Sequence, residues 1–304
     1  MINRKKCIVS IFTLGILTAG VWDSGASEVD SLRYLVSFKT EKSYCFAYIN
    51  GFFAADNLKT SSGTVSAGLN ATPYLENGTN EIMIKMASIN APNDIDLMPE
   101  SMCELVISAN TPDKQFNIAS VVASADNNLK PTGKETPEYK GNDKIGAVKE
   151  GEQKDSILYV VERTFEAKLL PSWVWVNATP FSHTPENVQR LKDKYLDLWL
   201  LLQRNDINKL EEQADIAMKE LASTESMDEH EYWLTIGIEQ EMDGGMKAMP
   251  IDWSQYKVKT YKEGRLVRLE DSAGRTPLKL EDSDSIFSYN PYLSIVNGKF
   301  VITR

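Results

Sequence analysis

Tyr44-Cys45-Phe46-Ala47-Tyr48-Ile49-Asn50-Gly51-Phe52-Phe53 is the stretch on which the fold turns. Aromatic residues at every second position have the period of a half-buried strand. Asn50-Gly51 joins two residues that tolerate positive φ, the strongest short hairpin signal, and Phe52 and Phe53 open the return strand. Upstream, Leu32, Tyr34, Val36 and Phe38 alternate with Arg33, Leu35 and Ser37, and the Tyr44, Phe46, Tyr48 set repeats that alternation. Downstream, Glu76-Asn77-Gly78 forms a turn before the alternating run Glu81 to Met86, and Cys103 to Ser108 and Phe116 to Val122 complete the strands. Strands at this spacing, with little helical periodicity between them, predict an antiparallel β-sandwich domain over residues 27–125.

The cysteines point the same way. Cys45 and Cys103 stand 58 residues apart in one segment. Without a Cys-x-x-Cys pair, a disulfide staple is the reading, and a closed loop of that length stabilises by roughly 4 kcal/mol in chain-entropy models. An oxidising compartment is implied by what precedes them. Arg4, Lys5 and Lys6 form a charged n-region, Ile8 to Val21 is an uncharged apolar run of about 14 residues, and Ser24-Gly25-Ala26 offers a cleavage site. That is a secretory signal peptide over residues 1–26, too short to span a bilayer. The expected location is periplasmic or secreted, with no stable membrane insertion after cleavage. Asn70-Ala71-Thr72, Asn77-Gly78-Thr79 and Asn177-Ala178-Thr179 match the glycosylation acceptor pattern, which matters only in a eukaryotic source.

The formal charge is −10, and a cleaved leader carrying Arg4, Lys5 and Lys6 against Asp23 takes it to about −12. Such a surface repels phosphate backbones and anionic headgroups, so nucleic acid is not an expected partner and another protein, of basic character, is.

Residues 126–155 change character: Asp126-Asn127-Asn128 through Pro131, Gly133, Pro137 and Gly141 is polar and reads as a linker. An α+β domain is expected over residues 156–304. It opens with strand-like Ile157 to Leu170 and a second strand from Trp173-Val174-Trp175-Val176. Thr184 then caps a helix with Pro185 at its first position and Glu186 in its first turn. Val188, Leu191, Tyr195, Leu198 and Leu202 form one apolar stripe, and after a break at Asn205-Asp206, Ile207, Leu210, Ala214, Ala217 and Leu221 form another, predicting a helical hairpin. Ser226 with Glu229 offers a capping box, and Tyr232 to Ile238 reads as helix or strand. A meander follows: Tyr256 to Tyr261, Arg265 to Glu270, Thr276 to Leu280, then Tyr292 to Val296 and Lys299 to Thr303 about a second two-residue hairpin at Asn297-Gly298. This order, a helical hairpin packed on a curled antiparallel sheet over residues 180–304, resembles the cone-shaped folds related to nuclear transport factor 2. That resemblance implies a fold that hosts enzymes and binders alike.

The chemistry is sparse. His183 and His230 are the two histidines, no His-Glu-x-x-His spacing occurs, and no nucleophile elbow, Ser-x-x-Lys, phosphate loop or dinucleotide fingerprint appears. His230 sits among Asp228, Glu229 and Glu231, which should raise its pKa. Asp94, Asp96 and Glu100, with Asn90 and Asn93, have calcium-like composition without an EF-hand spacing and read as a solvated acidic loop, as do Glu239, Glu241 and Asp243 and the run Glu281, Asp282, Asp284. No catalytic residue, cofactor or metal is assigned. Four indoles are the binding candidates. Trp173 and Trp175, two apart in a strand, would share a face as a partly open platform or as a sheet face covered by the long helix, and Trp233 and Trp253 carry the same pair of readings near the flexible Asp243-Gly244-Gly245-Met246 junction. The expected function is an exported protein-binding factor, in concrete form an immunity or accessory protein masking a basic secreted effector. The alternatives are a carboxylate-based hydrolase of cell-wall glycan or peptide, and a carbohydrate- or surface-binding module contacting its ligand through Phe52, Phe53 and Tyr74.

Overall fold

The computed structural model describes residues 6–8, 32–111, 113–138, 145–154 and 156–304. Apart from Lys6–Ile8 (β1), the expected leader lies outside the described residues. The described chain is a mixed, strand-rich fold with five helices, in two compact units, one of residues 32–172 and the other centred on residues 173–304.

The first unit is built from β2 (Arg33–Glu41), β3 (Ser43–Ile49), β4 (Phe52–Asp56), β5 (Val65–Asn70), β6 (Gly78–Ser88), β7 (Met102–Asn110), β8 (Gln115–Ala125), β9 (Pro131–Thr132), β10 (Lys149–Glu152) and β11 (Tyr159–Ala167). They form two five-stranded antiparallel sheets, in the orders β10-β11-β6-β3-β4 and β5-β2-β7-β8-β9. The hairpin between β3 and β4 forms where the sequence places it, with Asn50 at φ 52° and Gly51 at φ 80°. Both sheets feed one core. Tyr34, Val36, Phe38, Leu105 and Ile107 come from one, and Ile49, Ile82, Ile84, Val161 and Phe165 from the other. Cys45 on β3 and Cys103 on β7 form the expected disulfide, joining the sheets with a Cα–Cα distance of 5.9 Å. Beside it, buried Asn57 accepts from Cys45 N (2.9 Å) and donates to Ser43 O (2.7 Å), Gly63 O (2.9 Å) and the Thr40 hydroxyl (2.9 Å). One side chain thereby satisfies the backbone where the chain crosses from β4 to β5.

The polar stretch expected as a linker belongs largely to this unit. β9 pairs with the end of β8, Thr136 Oγ1 accepts from Val122 N (2.9 Å), and β10 pairs with β11. The buried Arg163 guanidinium donates to Gly146 O (3.0 Å) and Pro137 O (3.0 Å), fastening that stretch at two points. Strand β11 pairs with β6 along its whole length, so the units divide between Ser172 and Trp173 and not within residues 126–155. Short strands that pair on one side and face water on the other carry no apolar alternation, so composition reads them as linker.

In the second unit, α1 (Pro185–Gln203) starts as expected, with Thr184 Oγ1 accepting from Asn187 N, and buries Leu191, Tyr195, Leu198 and Leu202. The second stripe is divided at Ala214 into α2 (Ile207–Gln213) and α3 (Asp215–Glu225). Ser226 does not open a capping box. It ends α3 in the left-handed conformation at φ 56°, and Asp228 caps α4 (Glu229–Thr235) by accepting from His230 N and Glu231 N. Tyr232 to Thr235 is therefore helical, Gly237 at φ 84° breaks the helix, and α5 (Ile238–Asp243) follows. Next come β12 (Lys247–Ala248), β13 (Lys257–Tyr261), β14 (Leu266–Glu270), β15 (Lys279–Glu281), β16 (Ser285–Ser288), β17 (Leu293–Val296) and β18 (Lys299–Ile302). They make two four-stranded sheets, β13-β14-β17-β18 and β1-β16-β15-β12, antiparallel except where β1 joins β16. The hairpin at Asn297 (φ 49°) and Gly298 (φ 74°) forms as read. No helix among the described residues is long and apolar enough to cross a membrane.

Candidate functional site

The alternation on β3 has the opposite sense to the one its aromatics suggest. Ser43, Cys45, Ala47 and Ile49 are buried, and Tyr44, Phe46 and Tyr48 lie on the outer face of the sheet, half-buried. The disulfide imposes this: Cys45 has to point inward to reach Cys103, and a strand's side chains alternate strictly. Core volume comes instead from Tyr34, Phe38 and Leu105 of the opposite sheet.

Pairing extends the aromatic row across the sheet. Phe53, Tyr48, Met83, Glu162 and Lys149 stand abreast on β4, β3, β6, β11 and β10. The next row holds Asp56, Phe46, Lys85, Val160 and Gly151, and Tyr44 with Ala87 lies beyond. With strands about 4.8 Å apart, Phe53 and Glu162 are on the order of 14 Å from one another. Phe53, 40 % exposed, meets the Tyr48 ring edge-on at 5.9 Å between centroids. Lys85 Nζ lies 4.9 Å from the Tyr48 centroid, a cation–π contact, and Lys149 pairs with Glu162 at 3.7 Å. The result is a cluster of aromatic side chains on the outer face of the sheet, accompanied by side chains of both charges. Of the three residues expected for a carbohydrate module, only Phe53 lies on this face. Phe52 is buried against Tyr74, with ring centroids 5.3 Å apart.

The indoles fall elsewhere. Trp173 and Trp175 are not in a strand: Val174–Asn177 is a 3-10 turn. Both are buried, and the Arg304 guanidinium lies 5.1 Å from the Trp173 centroid and 5.8 Å from that of Trp175, with Arg265 5.4 Å from Trp175. Two arginines use the surfaces a ligand would need. Trp233 is also buried, edge-on to Tyr289. Trp253 alone is partly exposed, 5.9 Å from Lys192 Nζ.

Several charged groups are engaged with one another. In the acidic loop, Asp96 pairs with Lys130 and Glu100 with Lys42 (3.2 Å). Buried Arg268 pairs with Glu270, lies 4.1 Å from the Tyr292 centroid and donates to Gly274 O (3.2 Å) and Asn290 O (3.3 Å). Glu100, Asp126, Asp206, Asp252, Asp271 and Asp282 all have their pKa lowered, the direction opposite to that of a general acid. His183 is exposed against Phe181, with ring centroids 5.2 Å apart. His230 Nδ1 lies 2.8 Å from Glu211 Oε1. The Glu211 hydrogen bond and charge raise its pKa above the ordinary 6.5, with Glu239 and Asp228 adding to the effect. Because the folded value is raised, this contact favours the fold below the unfolded-state pKa and is lost as pH climbs through the folded one. A histidine NMR titration should give a midpoint above 6.5 that Glu211→Gln moves downward. A midpoint indifferent to Glu211→Gln would show that this pair does not form.

Comparison with protein-family models, curated proteins and solved structures finds no match for this chain.

Proposed function

We propose that this protein is an exported binding factor for another protein, and that it engages its partner through the aromatic outer face of β4, β3 and β6. The observation that carries this reading is the inverted alternation of β3. Three aromatics face outward over a core that is filled without them, an arrangement that folding does not require. The negative formal charge of −10 favours a partner of basic character, as in masking a basic secreted effector. In this proposal the leader directs export, the two units act as separate domains, a β-sandwich and an α+β domain, and the helix-then-sheet order of the latter follows the cone-shaped folds it resembles. The partly exposed Trp253 is a secondary contact candidate.

Purified protein used as bait in an exported-protein extract should retain a basic partner whose binding weakens as salt rises. Phe53→Asp combined with Tyr48→Ser should reduce affinity for that partner by roughly 30-fold, the effect of losing an aromatic hot spot, with the far-ultraviolet spectrum preserved. Retention of nothing at low or moderate salt, or retention that the double variant leaves unchanged, would sink the proposal.

A further inference from the structure

Asn-Gly occurs at three places in this chain: Asn50-Gly51, Asn77-Gly78 and Asn297-Gly298. The pair carries latent chemistry. The backbone nitrogen of the glycine can attack Cγ of the asparagine amide, because no side chain on the glycine shields it. A nitrogen–carbon bond forms, and the amide nitrogen leaves as ammonia, taking the proton that the glycine nitrogen gives up. Water then opens the resulting cyclic imide at either carbonyl, giving aspartate or its β-linked isomer, isoaspartate. Water is the sole co-reactant. How fast a given pair reacts depends on how firmly the fold holds its side-chain amide and the backbone beside it.

The fold treats the three pairs differently. Asn50 is buried, its amide nitrogen donates to Tyr74 O (2.7 Å) and Asn80 Oδ1 (2.9 Å), and its Oδ1 accepts from Glu81 N (2.9 Å). Asn77 reaches solvent, yet its amide nitrogen donates to Leu170 O (2.8 Å) and its Oδ1 accepts from Leu170 N (3.0 Å). Each of these amides must break at least two hydrogen bonds before it can turn toward the glycine nitrogen. Asn297 has no such anchor. It is exposed at the tip of the β17–β18 hairpin, and its side chain makes no hydrogen bond among the described residues. Gly298 is exposed as well, and the space where a Cβ would stand is empty. Opening the last rung, Val296 opposite Lys299, frees the tip to rearrange.

We infer that Asn297 is a site of spontaneous deamidation, and that the fold directs the reaction there while protecting Asn50 and Asn77. The hairpin that carries the aromatic face is thereby kept intact, whereas the one that reacts is tied to α1. Arg190 donates to Gly298 O, and its guanidinium lies 5.6 Å from the Phe300 centroid. Isoaspartate inserts an extra backbone carbon, so the two-residue turn no longer closes in register and the carbonyl that Arg190 holds is displaced. Both products also add a negative charge beside Lys299. Deamidation therefore loosens β17 and β18 from α1 as the protein ages.

The full purified chain, held at mildly alkaline pH and digested at intervals for peptide mass spectrometry, should accumulate acid at position 297. An isoaspartyl methyltransferase should label the same peptide. Asn50 and Asn77 should convert at least about 20-fold more slowly, at roughly fivefold for each hydrogen bond that must break. In the urea-unfolded chain the three sites should convert at similar rates, which isolates the contribution of the fold and needs no variant. Asn297→Gln, whose longer side chain closes such a ring far more slowly, should abolish the methyl acceptor. Amide exchange over β17 and β18 should quicken on ageing in the original chain and stay constant in this variant. An Asn297 that persists in the folded chain but converts in urea would overturn the inference, as would conversion of Asn50 or Asn77 as fast as Asn297. Deamidation that leaves exchange in β17 and β18 unchanged would overturn the loosening from α1.

Discussion

Glu220→Ala is expected to destabilise the second unit by about 3–5 kcal/mol, the range for leaving one partner of a buried ion pair uncompensated. The Arg304 side chain is fully buried, held by Glu220 Oε2 and by the faces of Trp173 and Trp175. Glu220 Oε1 meanwhile accepts from Val174 N at 2.7 Å, so one carboxylate anchors both the arginine and the turn that carries the indoles. Alanine removes both bonds at once. Glu220→Gln keeps an acceptor for Val174 N and loses the charge, so its cost should be clearly smaller. A paired Glu220→Leu, Arg304→Met replacement should recover much of the loss, because a well-packed apolar pair replaces a desolvated ionic one. Urea unfolding followed by tryptophan fluorescence reads this directly, since every tryptophan after residue 31 lies between Trp173 and Trp253. A loss in Glu220→Ala within about 0.5 kcal/mol, the level of an ordinary surface change, would mean that the pair is solvated in solution.

Why the two indoles escaped the sequence reading follows from the same cluster. Their spacing of two suggests a strand, but what orients them is Arg304, roughly 130 positions away along the chain. No local pattern carries that partnership. The features that were legible are those whose causes are local: the Asn50-Gly51 and Asn297-Gly298 turns, where both residues adopt positive φ, and the start of α1, where Thr184 and Pro185 act within one turn. Ser226 marks the limit of local reading. A serine followed three residues later by glutamate suits a capping box, yet the close of α3 places Ser226 in a left-handed conformation that an N-cap cannot use. The aromatic face was in principle accessible. Had the inward direction of Cys45 been applied to its neighbours, Tyr44, Phe46 and Tyr48 would have fallen outside, because a one-residue change of phase exchanges the faces of a strand. Edge strands such as β9 and β10 were not accessible, since half of their surroundings is water.

The second large effect concerns Cys45 and Cys103, and it tests whether the two units unfold separately. Replacing both with alanine opens a loop of 58 residues and should cost the first unit up to roughly 4 kcal/mol, through the greater freedom of its unfolded chain. Ser43 Oγ lies 3.3 Å from Cys45 Sγ, and Asn57 binds Cys45 N, so the lost sulfur atoms also leave a gap in a buried polar corner. The location of the tryptophans turns this into a two-channel measurement. Residues 32–172 contain no tryptophan, so the fluorescence transition belongs to the second unit, and the β-sheet signal in circular dichroism includes the first. In the double alanine variant the dichroism transition should move to lower urea while the fluorescence midpoint stays within error. If both midpoints fall together, the units unfold as one cooperative block. In that case the Glu220→Ala loss should also appear in both channels, because a single cooperative transition cannot be destabilised in one half alone.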